Sequence, residues 1–224
     1  MIHEVDEGIR RLLADGDVPG EQGELAFDAP TREWTARRNA PTVNVFLYDI
    51  REDVSRRQTG AFEVHEEDGT LRGWRGVSRW YQLSYLVTAW TNRPQDEHRL
   101  LSVALGCLTR TERLEQRWLT GSLAELGLSI GLRAAGPLSE VGAASDVWSA
   151  LGGELKPAIN LAVIAPLPGE WTPAGPPVTE GVVLRTTTDD PRRLRYEGPS
   201  AAEGDGFATE RPRPRRRQRG APIR

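Results

Sequence analysis

Ser129 is the first residue to consider for catalysis, because it lies in the pentapeptide Gly127-Leu-Ser-Ile-Gly131. The pattern G-x-S-x-G marks a nucleophile elbow only where it forms the turn between a strand and a helix. The segment that follows, Arg133-Ala-Ala-Gly-Pro, cannot open a helix at once, and an esterase of this class needs a histidine after its serine. All three histidines precede it: His3, His65 and His98. We interpret Ser129 as structural and keep a small hydrolase as the third hypothesis for function.

Metal-ligating groups occur together at Asp96, Glu97 and His98. Adjacent residues on a helix point roughly 100° apart, so these three cannot converge on one ion without ligands from elsewhere. The sequence has no second cluster of histidine or cysteine to supply them. We therefore predict no metal site and place the two acids in the first turn of a helix, where the helix dipole favours them. Cys107 falls on the apolar side of the same helix and is interpreted as a buried, inert thiol.

The carboxylates Asp49, Glu52 and Asp53 follow one another closely at the end of a predicted strand. We interpret them as a solvated turn and not as an acid/base pair. The chain contains neither the P-loop pattern G-x-x-x-x-G-K-[ST] nor the Rossmann glycine fingerprint. The sequence thus predicts a protein that is not an enzyme, with no catalytic residues, no metal and no cofactor.

A basic C-terminal tail is the one charged feature with the character of a binding site. The net charge of the chain is −3, yet residues 211–224 hold seven arginines and no acids, which leaves residues 1–210 at −10. Such arginines can engage phosphates or carboxylates. The candidate contacts for anions are Arg213, Arg215, Arg216, Arg217 and Arg219. The tail lacks interleaved aromatic residues for stacking on single strands, so nucleic acid is not the expected partner.

Composition limits the class of protein further. The single cysteine excludes an intramolecular disulfide and fits a reducing compartment. No apolar stretch approaches the roughly 18 residues that predict a membrane span. The acidic, amphipathic N-terminus does not resemble a secretory signal. We expect the chain to fold in the cytoplasm.

The hydrophobic patterns predict an α/β fold with a mixed, mainly antiparallel sheet flanked by helices. The strongest strand signal is the alternation from Trp80 to Trp90, and the strand before it has apolar residues on both faces, as is typical of a central strand. Several neighbouring strands lack a helix long enough for a parallel crossover. The predicted helices are 2–13, 31–38, 95–114 and 139–151, and the predicted strands are 24–28, 42–50, 80–90, 158–165 and 179–187. The predicted buried side of helix 95–114 comprises Leu101, Ala104, Leu105, Cys107 and Leu108.

The connections between these elements differ in composition. Residues 51–79 are polar, charged and glycine-containing, which indicates a long projecting hairpin or loop; such segments inside a domain are usually functional or disordered. Residues 166–177 are a proline-rich connection, and 179–187 is predicted to be an edge strand. Beyond residue 188 the hydrophobic periodicity is lost. We predict one domain at residues 1–187 and a disordered Arg/Pro-rich tail at residues 188–224.

Four blocks of sequence carry a resemblance to a known family. They are Pro41-Thr-Val-Asn-Val-Phe-Leu-Tyr-Asp-Ile-Arg, Leu83-Ser-Tyr-Leu-Val-Thr-Ala-Trp-Thr with the helix opener after it, Phe27-Asp-Ala-Pro-Thr, and Val147-Trp-Ser-Ala-Leu-Gly-Gly-Glu-Leu-Lys-Pro. In their order along the chain they resemble the tail-terminator, or cap, proteins of phage-tail-like extracellular contractile injection systems of the antifeeding-prophage type. The resemblance covers about residues 1–187 and leaves out the tail.

The resemblance implies a structural protein with a fold similar to phage tail terminators. Members are expected to form a six-fold ring. This ring ends polymerisation of the sheath and the inner tube and joins the two. The expected partners are therefore the sheath and inner-tube proteins and further copies of the chain. We hypothesise that the loop 51–79 or the edge strand near 182–187 completes a sheet in a neighbour. The alternative function is an adaptor that binds nucleic acid or acidic surfaces through the arginine tail.

Overall fold

The computed structural model describes residues 1–136, 144–152 and 155–175, together with two short strands at 182–184 and 192–194. The chain divides into two units, residues 1–173 and residues 174–224. The helices of the first unit are α1 (Ile2–Asp15), α2 (Arg32–Ala36), α3 (Pro94–Thr109), α4 (Gly121–Leu126) and α5 (Ala144–Ala150), with two 3-10 turns at Val54–Arg56 and Gln116–Trp118. Its strands are β1 (Glu24–Ala26), β2 (Thr42–Glu52), β3 (Ala61–His65), β4 (Leu71–Gly76), β5 (Arg79–Trp90), β6 (Arg113–Leu114), β7 (Ile130–Ala134), β8 (Ala158–Leu167) and β9 (Trp171–Pro173).

A six-stranded sheet forms the centre of the first unit, in the order β1-β2-β5-β8-β7-β6. Only β1 runs parallel to its neighbour, and every other pair in this sheet is antiparallel. The two long strands pair from Thr42 opposite Trp90 to Glu52 opposite Tyr81, with a bulge between Leu47 and Asp49. The predicted fold class, a mixed and mainly antiparallel sheet with helices, is confirmed.

The main core lies on one face of this sheet, beneath α1 and α3. Alternation along β2 and β5 puts Val43, Val45, Tyr85 and Val87 on that face, all 0% exposed. The helices meet the sheet through polar groups as well, because the hydroxyl of Tyr85 donates to the Oδ1 of Asp6 at 2.7 Å. Burial beside Asp6 raises the pKa of Tyr85, so the phenol stays protonated and keeps this bond.

A second, smaller cluster of aromatic residues covers part of the opposite face. Trp90 contacts Trp34 edge-on at a centroid distance of 5.8 Å and Trp148 at 6.2 Å. The ammonium of Lys156 lies 4.1 Å from the Trp90 ring centroid and 2.5 Å from the Oε1 of Glu97. These contacts join α2, α3, α5 and the start of β8 to the end of β5.

Several sequence predictions need correction. Helix α3 ends at Thr109 and not at residue 114, and Leu105, predicted to be buried, is 36% exposed. The segment 166–177, predicted to be a connection, contains β9. Within the predicted edge strand 179–187, the described strand β10 (Val182–Leu184) pairs with β11 (Arg192–Leu194) in the second unit. The boundary at residue 187 and the disorder of the tail stay predictions, since the rest of the tail lies outside the described residues.

Candidate functional site: an exposed arm

Ser129 has the wrong surroundings for a nucleophile. Helix α4 ends at Leu126, Gly127 adopts a left-handed conformation with φ +60°, and β7 begins at Ile130. The order is therefore helix, turn, strand, the reverse of a nucleophile elbow. Ser129 is exposed at this turn, and the geometry supports its structural interpretation.

The carboxylates at the end of β2 each have a local partner. Asp49 accepts a bond from the Nε of Arg51 at 2.7 Å, and Glu52 is paired with Arg57. The hydrogen bonds from Arg57 lower the pKa of Glu52. Asp53 accepts from the amide of Ser55 at 3.2 Å and caps the 3-10 turn. Asp49 and Glu52 lie within β2, and only Asp53 lies in the turn after it, so the interpretation of all three as a solvated turn holds for Asp53 alone.

The remaining sequence candidates are separated in the structure. Glu97 binds Lys156, whereas His98 is exposed on the surface of α3. Within the described residues, no group of three His, Cys, Asp or Glu side chains is placed to hold a metal ion. Cys107 is buried and its thiol donates to the carbonyl of Leu12 at 3.6 Å; burial raises its pKa. The five candidate arginines of the tail, Arg213, Arg215, Arg216, Arg217 and Arg219, lie outside the described residues.

The feature with the character of a functional site is a second, three-stranded sheet in the order β3-β4-β9, which we call the arm. Strands β3 and β4 form the hairpin that the sequence predicted within residues 51–79, and β9 extends it. Large apolar side chains on this small sheet are open to solvent: Phe62 is 50%, Trp74 37% and Trp171 36% exposed. Exposed aromatic side chains grouped in one place mark interaction surfaces.

One side of the arm, which we call the aromatic face, combines aromatic rings with arginines. Phe62 lies opposite Arg75, and Arg75 opposite Trp171, so the three form a row across the strands. The guanidinium carbons of Arg72 and Arg75 lie 5.6 and 5.8 Å from the Trp171 ring centroid. Tryptophan and arginine are the residue types most enriched at the energetic centres of protein interfaces.

Gly73 makes this arrangement possible. A Cβ at this position would lie 2.4 Å from the carbonyl oxygen of Thr172 and 2.8 Å from the Cζ2 of Trp171. The absence of a side chain therefore lets β9 approach β4 and lets the indole of Trp171 lie against the strand. A sequence signal for this was present, because Gly73 interrupts an otherwise bulky strand.

The hairpin of the arm carries a net negative charge. Residues 61–76 contain two arginines and four acids. A surface of this charge repels a phosphate backbone, and attraction to that backbone dominates nucleic-acid affinity. The arm is therefore suited to a protein partner.

No helix in the described part of the chain has the length and apolarity needed to cross a membrane.

No curated protein sequence matches this chain. The fold is similar to that of solved structures, among them the following two. The sheath/tube terminator of PVC, an extracellular contractile injection system, in the extended state is 19% identical with a TM-score of 0.57, and the match covers 84% of this chain and 65% of that one. The tube-terminating cap of the anti-feeding prophage is 19% identical with a TM-score of 0.54, over 80% of this chain and 60% of that one.

The chain thus spans less than two thirds of the length of these structural relatives. The match confirms the predicted resemblance in fold to terminator proteins. A family model described as the Pvc16 N-terminal domain matches residues 4–180, which include the whole six-stranded sheet and the arm. The chain belongs to the Pvc16 N-terminal domain family.

Proposed function

We propose that this chain is the structural cap of a contractile injection system and ends polymerisation of its sheath and inner tube. The observation that carries the proposal is the family match over residues 4–180, together with the fold shared with a sheath/tube terminator. The chain acts by shape and contact, with no bond made or broken. It assembles in the cytoplasm, where its single thiol stays reduced.

The cap is a closed ring of six copies at the distal end, in contact with both the sheath and the inner tube. A ring requires heterologous contacts, in which one surface of each copy meets a different surface of the next. The arm supplies one such surface, because its aromatic side chains are exposed and its strand β3 forms an open edge within the described residues. The aromatic face and this edge give the arm two ways to bind, by side-chain packing and by strand addition.

Electron microscopy of particles from cells that lack this protein tests the proposal. We expect sheaths and tubes of uncontrolled length, or no particles, because nothing then stops subunit addition. Cells that carry the intact gene on a plasmid are the control and should restore a single length. Particles of normal length and integrity without the protein would contradict the proposal.

The alternative predicted from the sequence, an adaptor that binds anionic surfaces through the arginine tail, rests on residues outside the described part of the chain. Truncation after Glu210 separates the two functions. A terminator that works through the folded domain still caps particles after this truncation. Loss of capping, together with binding of the full chain to DNA at about 0.15 M salt, would favour the adaptor.

A further inference from the structure

A groove lies on the surface of the first unit, at the end of the six-stranded sheet where β2 begins and β5 ends. It has a volume of about 670 Å³, within the range of binding clefts. Its walls come from the connection between α1 and β1 and from the first turns of α3. Its lining includes Pro19, Glu21, Pro41, Arg93, Asp96 and Leu100.

The groove and the arm lie at opposite ends of the same pair of strands. Pro41 precedes β2 and Thr91 follows β5, and both line the groove. The arm begins after Glu52 and returns to the sheet at Arg79. Nine residue steps, from Tyr81 to Trp90, separate the two ends, about 30 Å at the usual rise of a strand. The arm of one molecule therefore cannot reach its own groove along the sheet.

The two surfaces are chemically complementary. The groove offers the apolar rings of Pro19 and Pro41, which suit contact with the indole of Trp171 and the ring of Phe62. Its carboxylates, Glu21 and Asp96, are exposed and match Arg72 and Arg75, which flank Trp171 on the arm.

The opposite charges are matched as well. The groove also carries Arg93 and Arg99, and Glu66 lies beside the aromatic face, with its Oε1 3.5 Å from the Nε of Arg72, the arginine that lies over Trp171. Both surfaces therefore combine the two signs of charge with apolar area, as the centre and rim of a protein interface do.

We propose that the aromatic face of the arm of one copy seats in the groove of the next copy. The inference rests on the proposed function, since it names the contact by which the cap closes. A second copy is the occupant because one chain carries both complementary surfaces at opposite ends. Contacts of this kind add copies in a single direction and end in a closed ring when the rotation between copies permits.

Cysteine crosslinking of the purified full chain tests the contact. Val64→Cys places a thiol on the aromatic face, in the same row as Gly73, and Gln22→Cys places one in the groove. With a short bismaleimide, the double variant should give a ladder of dimers, trimers and larger species, because each copy offers one thiol of each kind. Either single variant can give dimers at most. Cys107 does not interfere, since it is buried and its pKa is raised.

A matched control pairs Val64→Cys with Glu125→Cys, an exposed position on α4 that does not line the groove. The control should give no ladder. A ladder from the control as strong as that from the groove variant, or a groove variant that stays monomeric, would overturn the proposal.

Charge exchange provides a second test on the crosslinkable double variant. Arg75→Glu and Asp96→Arg should each lower the yield of the ladder on the order of tenfold, and the two together should recover most of it. Equal, additive losses would refute the pairing of arm and groove. Failure of this contact can be told apart from failure of the proposed function. If the crosslinked ladder is absent but cells that lack the protein still make particles of uncontrolled length, the contact between arm and groove is rejected and the terminator function is retained.

Discussion

The six-stranded sheet and the arm contain the same kinds of apolar residue, but these side chains are buried in the sheet and exposed in the arm. In the sheet, alternation puts one set of side chains into the core, and Leu83, Tyr85 and Leu161 have no exposed surface. In the arm, alternation puts Phe62 and Trp74 on opposite sides of a sheet that no described helix covers, and both remain open to solvent. The first region forms the core of the fold, and the second leaves large apolar side chains open to solvent. The comparison predicts that mutations in the two regions separate stability from assembly.

The largest effect on stability is expected from truncation in the main core. Leu161→Ala removes a fully buried side chain from the centre of β8 and should lower the free energy of unfolding by about 2–5 kcal/mol. Phe62→Ala in the arm is the control and should change it by no more than about 0.5 kcal/mol. Urea titration followed by circular dichroism measures both. Equal losses would show that the arm is part of the folding core.

The contact between α1 and α4 is expected to contribute next. The carboxylate of Glu4 accepts bonds from the amide of Ser122 at 2.7 Å and from its hydroxyl at 2.6 Å. Burial opposes ionisation of Glu4, but these hydrogen bonds prevail and lower its pKa. Glu4→Gln should reduce the free energy of unfolding by about 1.5–3 kcal/mol at neutral pH.

The pH dependence of that contribution has a definite sign. Because the folded pKa lies below the ordinary value of 4.5, the stabilisation is complete above pH 4.5 and is lost as the pH falls through the folded value. The wild-type protein should therefore lose more stability than Glu4→Gln as the pH falls from about 5 to about 3. If the free energy of unfolding falls equally with pH in the two proteins, Glu4 does not contribute to the pH dependence of stability.

Within the arm, Gly73→Ala should open the contact between β4 and β9, because the added Cβ would meet the Thr172 carbonyl. We expect a local loss of about 1–3 kcal/mol, seen as faster hydrogen exchange in β4 and β9 with β5 unchanged. Gly106→Ala is the matched control, since a Cβ there meets only the Arg110 guanidinium at 4.0 Å. That change should leave exchange in the arm unaltered.

The smallest effect is expected at the serine of the esterase-like pentapeptide. Ser129→Ala alters an exposed turn and should shift the free energy of unfolding by less than about 0.5 kcal/mol. Hydrolysis of p-nitrophenyl acetate by the purified protein should be the same before and after the change. A rate that falls in Ser129→Ala would revive the hydrolase hypothesis.

The sequence predicted the body of the fold better than the arm, for physical reasons. Helix α1 buries one regular face, and strand β5 is a long apolar strand covered on both faces over its second half, so their patterns predicted them closely. Strand β9 has three residues and ends in proline, too short for a pattern, and it exists because β4 has Gly73 opposite Pro173. The prediction that Leu105 is buried was wrong, because helical periodicity alone does not show which apolar residues at the margin of a helix face are covered by other elements.

The sequence predicted the arm only in part and did not predict the groove. The polar, glycine-containing composition of residues 51–79 predicted a projecting hairpin, but the row of Phe62, Arg75 and Trp171 joins strands almost 100 residues apart. No local pattern encodes such a pairing. The groove is likewise assembled from the α1–β1 connection and from the start of α3, which are distant in sequence.

Deletion of the hairpin of the arm separates capping from folding. A chain that lacks residues 55–76 should keep a cooperative unfolding transition, because the main core lies in the six-stranded sheet. Length distributions of particles from cells that carry this variant, measured by electron microscopy, should then be as broad as those from cells without the protein. Particles of uniform, normal length capped by the folded deletion variant would show that the hairpin of the arm is not needed for termination.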